Sequence, residues 1–109
     1  MITPNVATTA LALTLSVASG STSRTFDTGN SLYDFCRSRS LACAGYVSGV
    51  ADVMGLTEVS GFKACIPRDV TRRQATDVVT KWLASNPAKR NSAAPGLVAH
   101  ALADAFPCH

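Results

Sequence analysis

Four stretches of the chain repeat apolar residues at helical spacing, separated by polar, Gly- or Pro-containing segments. The clearest is Ala75, Val78, Val79, Trp82 and Leu83, which fall at i, i+3, i+4, i+7 and i+8. Thr71 and Gln74, three residues apart just upstream, match a capping box, and Asn86-Pro87 ends the run. Within it Asp77 precedes Lys81 by one turn, the favourable order for a surface ion pair. A further face, Ala94, Leu97, Val98, Ala101, Leu102, Ala105 and Phe106, starts near Ser92, tolerates Pro95 in its first turn and stops at Pro107. Upstream, Cys43, Tyr46, Val47, Val50, Val53 and Met54 predict a helix capped by Ser40 and left at Gly55. Ser31 caps a shorter one carrying Leu32, Phe35 and Cys36, interrupted by Arg37-Ser38-Arg39-Ser40. No segment alternates as a half-buried strand would. The pattern is all-α.

The connections carry the residues that core packing does not claim. Leu56 to Pro67 lacks a helical period and contains Gly61 and Pro67, so it predicts a long connection, with a short extended piece around Phe62 to Ile66 as the most order it could hold. Long connections in compact domains are either functional or disordered. Apolar Leu56, Val59 and Phe62 sit there among polar neighbours, with two readings open: they anchor the connection, as Phe62, Cys65 and Ile66 would, or with Glu58 and Lys63 they are candidate partner contacts. The basic loop from Ala88 to Asn91 adds Lys89 and Arg90, suited to an acidic rim.

The first 23 residues contain no Lys, Arg, Asp or Glu, and Val6 to Ala18 is mostly apolar. Residues 1–20 therefore read as a signal peptide with a weak n-region, cleaved after Ala18-Ser19-Gly20. Polar residues 21–30 form a flexible lead-in, and residues 31–109 a single helical domain. The expected location is periplasmic or secreted, with no membrane span after processing. Removing residues 1–20 from 109 leaves 89 and a net charge of +3. Such a chain buries only about 60–65% of its unfolded surface and needs additional constraint. Arg68, Arg72 and Arg73 cluster, but Asp69 and Asp77 interleave with them, which reads as a solvated surface. A nucleic-acid face would want a larger patch of one sign with aromatics to stack on.

Four cysteines, an even number in a small exported domain, imply two disulfides. Cys43, Tyr46, Gly49 and Asp52 stand at three-residue intervals, with Gly45 and Gly49 one turn apart. Glycine inside a helix costs about 1 kcal/mol against alanine, which calls for a close approach of another backbone. This stripe, followed by Cys65-Ile66-Pro67 and the terminal Ala105-Phe106-Pro107-Cys108, resembles the Rap1a/Tai family. Those are small secreted helical proteins of bacteria, best known as immunity proteins against type VI secretion amidases. The resemblance implies structural roles for Cys43, Tyr46, Gly49, Asp52, Pro67, Phe106 and Pro107. It implies a non-catalytic inhibitor that binds and blocks a secreted peptidoglycan-amidase toxin and that can act as a homodimer.

Cys36 and Cys43 would lie about 10.5 Å apart along one straight helix, beyond the reach of a disulfide. They can pair if the chain breaks at Arg37 to Ser40, and then Cys65 pairs with Cys108. The other pairing considered is Cys43 with Cys65 and Cys36 with Cys108. A third reading leaves all four as buried thiols in a cytoplasmic protein. With the bridges in place the fold class is a small disulfide-stabilised all-α bundle of four to five short helices.

No catalytic constellation emerges. The histidines are His100, on the border of an apolar face, and His109, the last residue. No thiol is spare for a Cys-His pair, and there is no Cys-x-x-Cys or His-x-x-x-His for a metal and no phosphate-binding glycine loop. Tyr46 is read as packing its ring in the core, and Asp52 as accepting hydrogen bonds from a nearby loop or cap. The expectation is no enzyme, no metal and no cofactor. Two other functions stay open: a small periplasmic stress or chaperone-like protein, and a family orphan with an unassigned envelope role.

Overall fold

The computed structural model describes residues 27–109. Four α-helices follow in order, α1 (Gly29–Arg37), α2 (Leu41–Met54), α3 (Arg72–Ser85) and α4 (Ala94–Ala105), with one 3-10 turn at Pro87–Lys89. Among the described residues the only β-type pairing is two isolated bridges, Thr28 with Ala93 and Val59 with Phe62. The fold is a small all-α bundle with two disulfides.

Helix α4 is the most buried of the four and contacts α1, α2 and α3. Ala94, Leu97, Val98, Ala99, Ala101 and Leu102 are all buried, which is more than a single stripe. Around it pack Leu32 and Cys36 of α1, Cys43, Val47 and Met54 of α2, and Ala75, Val79 and Leu83 of α3. The alanines let neighbouring helices approach closely, as close-packed interiors require. Ala99 was not on the apolar face that periodicity gave, because an alanine between two helices needs no place on a stripe. Ala105, on that face, is exposed.

Local chemistry sets the helix starts. The Ser40 hydroxyl accepts the Cys43 amide at 3.2 Å. At α3 the capping box is complete: Thr71 Oγ1 accepts the Gln74 amide at 3.1 Å, and Gln74 Oε1 accepts the Thr71 amide at 2.7 Å. The first helix starts two residues before Ser31. Thr28 is its cap, taking the Ser31 amide at 3.2 Å, while the Ser31 hydroxyl donates to Asp27. The end of the expected lead-in is thus part of the fold. Gly29 N–H donates to the Ser92 carbonyl, Asn30 N–H to that of Arg90, and Ala94 N–H to that of Asp27. A Cβ on Gly29 would stand 2.8 Å from the Arg90 carbonyl oxygen and would run into Leu97, so only glycine fits. The expected signal peptide, and residues 21–26 of the lead-in, lie outside the described residues.

The chain breaks between α1 and α2 at Ser38 to Ser40, where Arg39 takes a φ of 58°, a left-handed conformation unusual outside glycine. That reversal brings Cys36 and Cys43 to 4.9 Å between Cα atoms, and they are bridged. Cys65 is bridged to Cys108, and the Cys65 amide donates to the Phe106 carbonyl at 2.8 Å. Together these tie the α2–α3 connection to the end of α4.

Helix α2 departs from expectation on its outer side. Gly45 and Gly49 do not meet another backbone: both are exposed, and a Cβ on either would find open space. The face that packs is Cys43, Val47 and Met54, which points the glycines to solvent. Phe35 and Val53 are also exposed rather than in the core. Asp77 and Lys81 close no ion pair. The only pairs among the described residues are Arg37 with Asp34 and, when the imidazole is protonated, His100 with Asp104. No helix of the described residues is long and apolar enough to cross a membrane.

Candidate partner-binding surface

The long connection from Gly55 to Thr71 divides into an anchored half and an outward half. Val59 and Phe62 pair with each other through both backbone hydrogen bonds, 3.0 and 2.9 Å, around a tight reversal at Ser60 and Gly61. Both reversal residues have positive φ, 52° and 82°, and Gly61 takes this at little cost. Phe62 then lies parallel on the His100 imidazole, with ring centroids 4.5 Å apart. Val59 and Phe62 are half-buried against the core. As partner contacts they are mostly committed already, to holding the loop.

Leu56, Glu58 and Lys63 are what the loop presents outward. Leu56 is 89% exposed, the most exposed of the large apolar residues. An apolar side chain that protrudes from an anchored loop is the kind of group a partner can bury with little ordering cost.

The stack continues past His100. Trp82 lies tilted against the imidazole at 4.9 Å, and the Lys89 ammonium sits over the indole at 5.8 Å. Asp104 closes the row: its Oδ2 accepts the Trp82 Nε1–H at 3.2 Å and lies 3.6 Å from His100 Nε2. A single row, Phe62–His100–Trp82–Lys89, thereby joins the two loops that the sequence proposed separately. His100 is the joint, a role invisible to periodicity because its partners come from α3 and a loop.

Arg90 does not share that surface. Its guanidinium covers the Tyr33 ring at 4.2 Å, its carbonyl holds Asn30, and its Nε is buried without a hydrogen-bond partner. Within the monomer it is a clamp between α1 and the loop after α3.

The motif stripe on α2 is split as well. Tyr46 is half-buried against the core, and burial first, then the charge of Asp27, raises its pKa above the usual phenol range. Asp52 is exposed, and its carboxylate makes no hydrogen bond among the described residues, where one from a nearby loop or cap is expected. It lines, with Ser48, Thr71 and Arg72, a shallow cleft of about 410 Å³ between the end of α2 and the start of α3. Pro67 and Pro107 are exposed, at the start of the turn before α3 and after the end of α4. Phe106 is half-buried on the core beside the Cys65–Cys108 bridge. No cluster of three or more potential metal ligands exists among the described residues.

A second concavity, missed by sequence reasoning, lies between the α1–α2 corner and α3 and measures about 880 Å³. Arg37 and Arg39 border it on one side and Arg72, Arg73 and Lys81 on the other. From the sequence alone, the run Arg72-Arg73 belongs to a solvated surface. Its convergence with Arg37 and Arg39 comes only from the way the corner folds over α3.

Comparison with curated proteins and with solved structures gives no match. A family model described as Rap1a immunity proteins matches residues 28–108, which takes in all four helices, both disulfides and the anchored loop. On that match the chain belongs to the Rap1a immunity protein family.

Proposed function

We propose that this protein is a periplasmic, non-catalytic immunity protein that binds a peptidoglycan-amidase toxin delivered by a type VI secretion system and blocks its active site. Family membership supports immunity as the role, and the disulfides suit an oxidising compartment. The observation that carries the mode of action is the loop with Leu56 at its outer edge. It is pinned by the Val59–Phe62 pair, the Phe62–His100 stack and the Cys65–Cys108 bridge. A segment already held in one shape loses little conformational entropy on docking. Leu56, Glu58 and Lys63 make the contact, and Lys89 meets an acidic rim from across the aromatic row. The homodimer that the family resemblance implies would use the outer face of α2, where Leu41, Gly45, Gly49 and Val53 are exposed.

The test is a rescue experiment. The product of the neighbouring gene is exported to the periplasm of a test bacterium with this protein in exported or cytoplasmic form, and lysis is followed. Protection by the exported form alone, weakened by Leu56→Asp with Lys63→Glu, is the expected result. A neighbour without toxicity, or lysis unaffected by the exported protein, would overturn the reading.

A further inference from the structure

The groove between the α1–α2 corner and α3 holds five of the ten Lys and Arg residues of the chain and one of its seven Asp and Glu residues, Asp77. Among the described residues, no ion pair engages Arg39, Arg72, Arg73 or Lys81. Arg37 is shared with Asp34 at 3.5 Å, on the exposed surface. Like charges gathered around one concavity repel one another and focus a positive potential within it. Two further features carry a cost. Arg72 and Arg73 occupy the first turn of α3, which contains no acid, at the positive end of the helix dipole. Arg39 holds its side chain at the rim from a left-handed backbone. The first cost is recovered when something anionic fills the groove; the second belongs to the reversal that joins Cys36 to Cys43 and only places the Arg39 side chain there.

Between the cations the lining is carbon: the Cys36 side of the disulfide, Ala44, and the methyl-bearing Thr76 and Thr80. Both threonines are half-buried, and the Thr76 and Thr80 hydroxyls donate back to the carbonyls of Arg72 and Thr76 within α3. Leu41, 87% exposed, stands at the edge. A ligand here must therefore offer negative charge to two rims and apolar side chains to the floor. No aromatic lines the groove, so it lacks the stacking platforms of single-stranded nucleic-acid sites. Its concavity fits a single segment better than a flat lipid surface.

We propose that this groove is a second docking surface, taking an acidic segment with interspersed apolar side chains from a protein partner. The proposal rests on the immunity reading only for the owner of that segment. It is tested on the full, oxidised protein by fluorescence anisotropy with a short labelled peptide of Glu and Leu. The Arg72→Glu/Arg73→Glu variant, and separately Lys81→Glu, are compared with Leu56→Asp, each first checked for native helicity and melting.

The expected result is salt-sensitive binding that the double charge reversal weakens about tenfold or more, Lys81→Glu weakens less, and Leu56→Asp leaves unchanged. An oligothymidylate and phosphatidylglycerol vesicles should bind more weakly than the peptide. No peptide binding, equal binding by the charge-reversed proteins, or tighter binding of the oligonucleotide or the vesicles would overturn it. Peptide binding without rescue from the toxin removes the immunity reading and leaves the groove. Rescue without peptide binding does the reverse.

Discussion

The aromatic row and the basic groove, each reaching α3 from a different neighbour, are built on opposite principles. In the row every polar group has a use: Asp104 accepts from Trp82 and faces His100, and Lys89 rests on the indole. In the groove four cations have no ion-pair partner among the described residues. The row is complete within the monomer and serves to hold a loop in place. The groove is energetically unfinished. Buried or converging charge that a fold leaves uncompensated is a sign of selection for something other than stability.

The strongest way to break the comparison is to release the row. Replacing Cys65 and Cys108 by serine opens a loop of sequence separation 43 and should cost about 4 kcal/mol by the chain-entropy account, read as a drop in the urea midpoint. By the same account the Cys36–Cys43 bridge, separation 7, contributes only about 2.4 kcal/mol on the groove side, and because both sulfurs are buried, serine there adds the cost of placing two hydroxyls in the core. Next in size, Trp82→Ala should lose about 2 kcal/mol, less than a fully buried tryptophan because the ring is half-buried. It should also expose the Leu56–Lys63 loop to faster proteolysis. The groove should respond with the opposite sign. Arg72→Glu with Arg73→Glu should stabilise the isolated protein by about 0.5–1 kcal/mol at low salt, and the gain should shrink as salt is added.

Tyr46 offers the smallest effect and a check that belongs to neither surface. Its folded-state pKa is raised by burial and then by Asp27, so the fold favours the protonated phenol. The contribution is full below the unfolded phenol value of about 10 and is lost as pH rises through the higher folded value. Tyr46→Phe should remove that part of the alkaline decline in urea stability, whereas Trp82→Ala and the arginine reversals should leave it in place.

What could be read in the sequence followed from local rules. The α3 capping box, the Ser40 cap, the break at Arg37 to Ser40 and the all-α class all depend on residues within a few positions of each other. Reading failed where the decisive partner is distant. Ser31 lost its expected cap role because Thr28 is held by Ala93 from across the fold. The α2 glycines carried a correct cost and a wrong explanation, since only packing tells which side of that helix faces out. The loop residues were named, but their division into Val59 and Phe62 as anchors and Leu56, Glu58 and Lys63 as outward groups needed His100 on α4. Lys89 and Arg90, adjacent in sequence, go to different partners, Trp82 and Tyr33. The basic groove left only the local Arg72-Arg73 run as a signal, because its other arginines come from a stretch that meets α3 only after folding.

The burial of α4 on nearly every side has a consequence for how such a protein can change over generations. Its buried alanines, Ala94, Ala99 and Ala101, are packed against the surrounding helices, so enlargement there collides with the scaffold. The groove, by contrast, takes no lining residue from α4, and the outer loop meets that helix through Phe62 on His100 and Ser60 beside Gly96, not through Leu56, Glu58 or Lys63. Variation in Leu56, Glu58, Lys63 or the groove cations is therefore insulated from the part of the molecule that cannot vary. On the proposed reading, a lineage can re-aim these two surfaces against an altered toxin while the buried helix stays as it is.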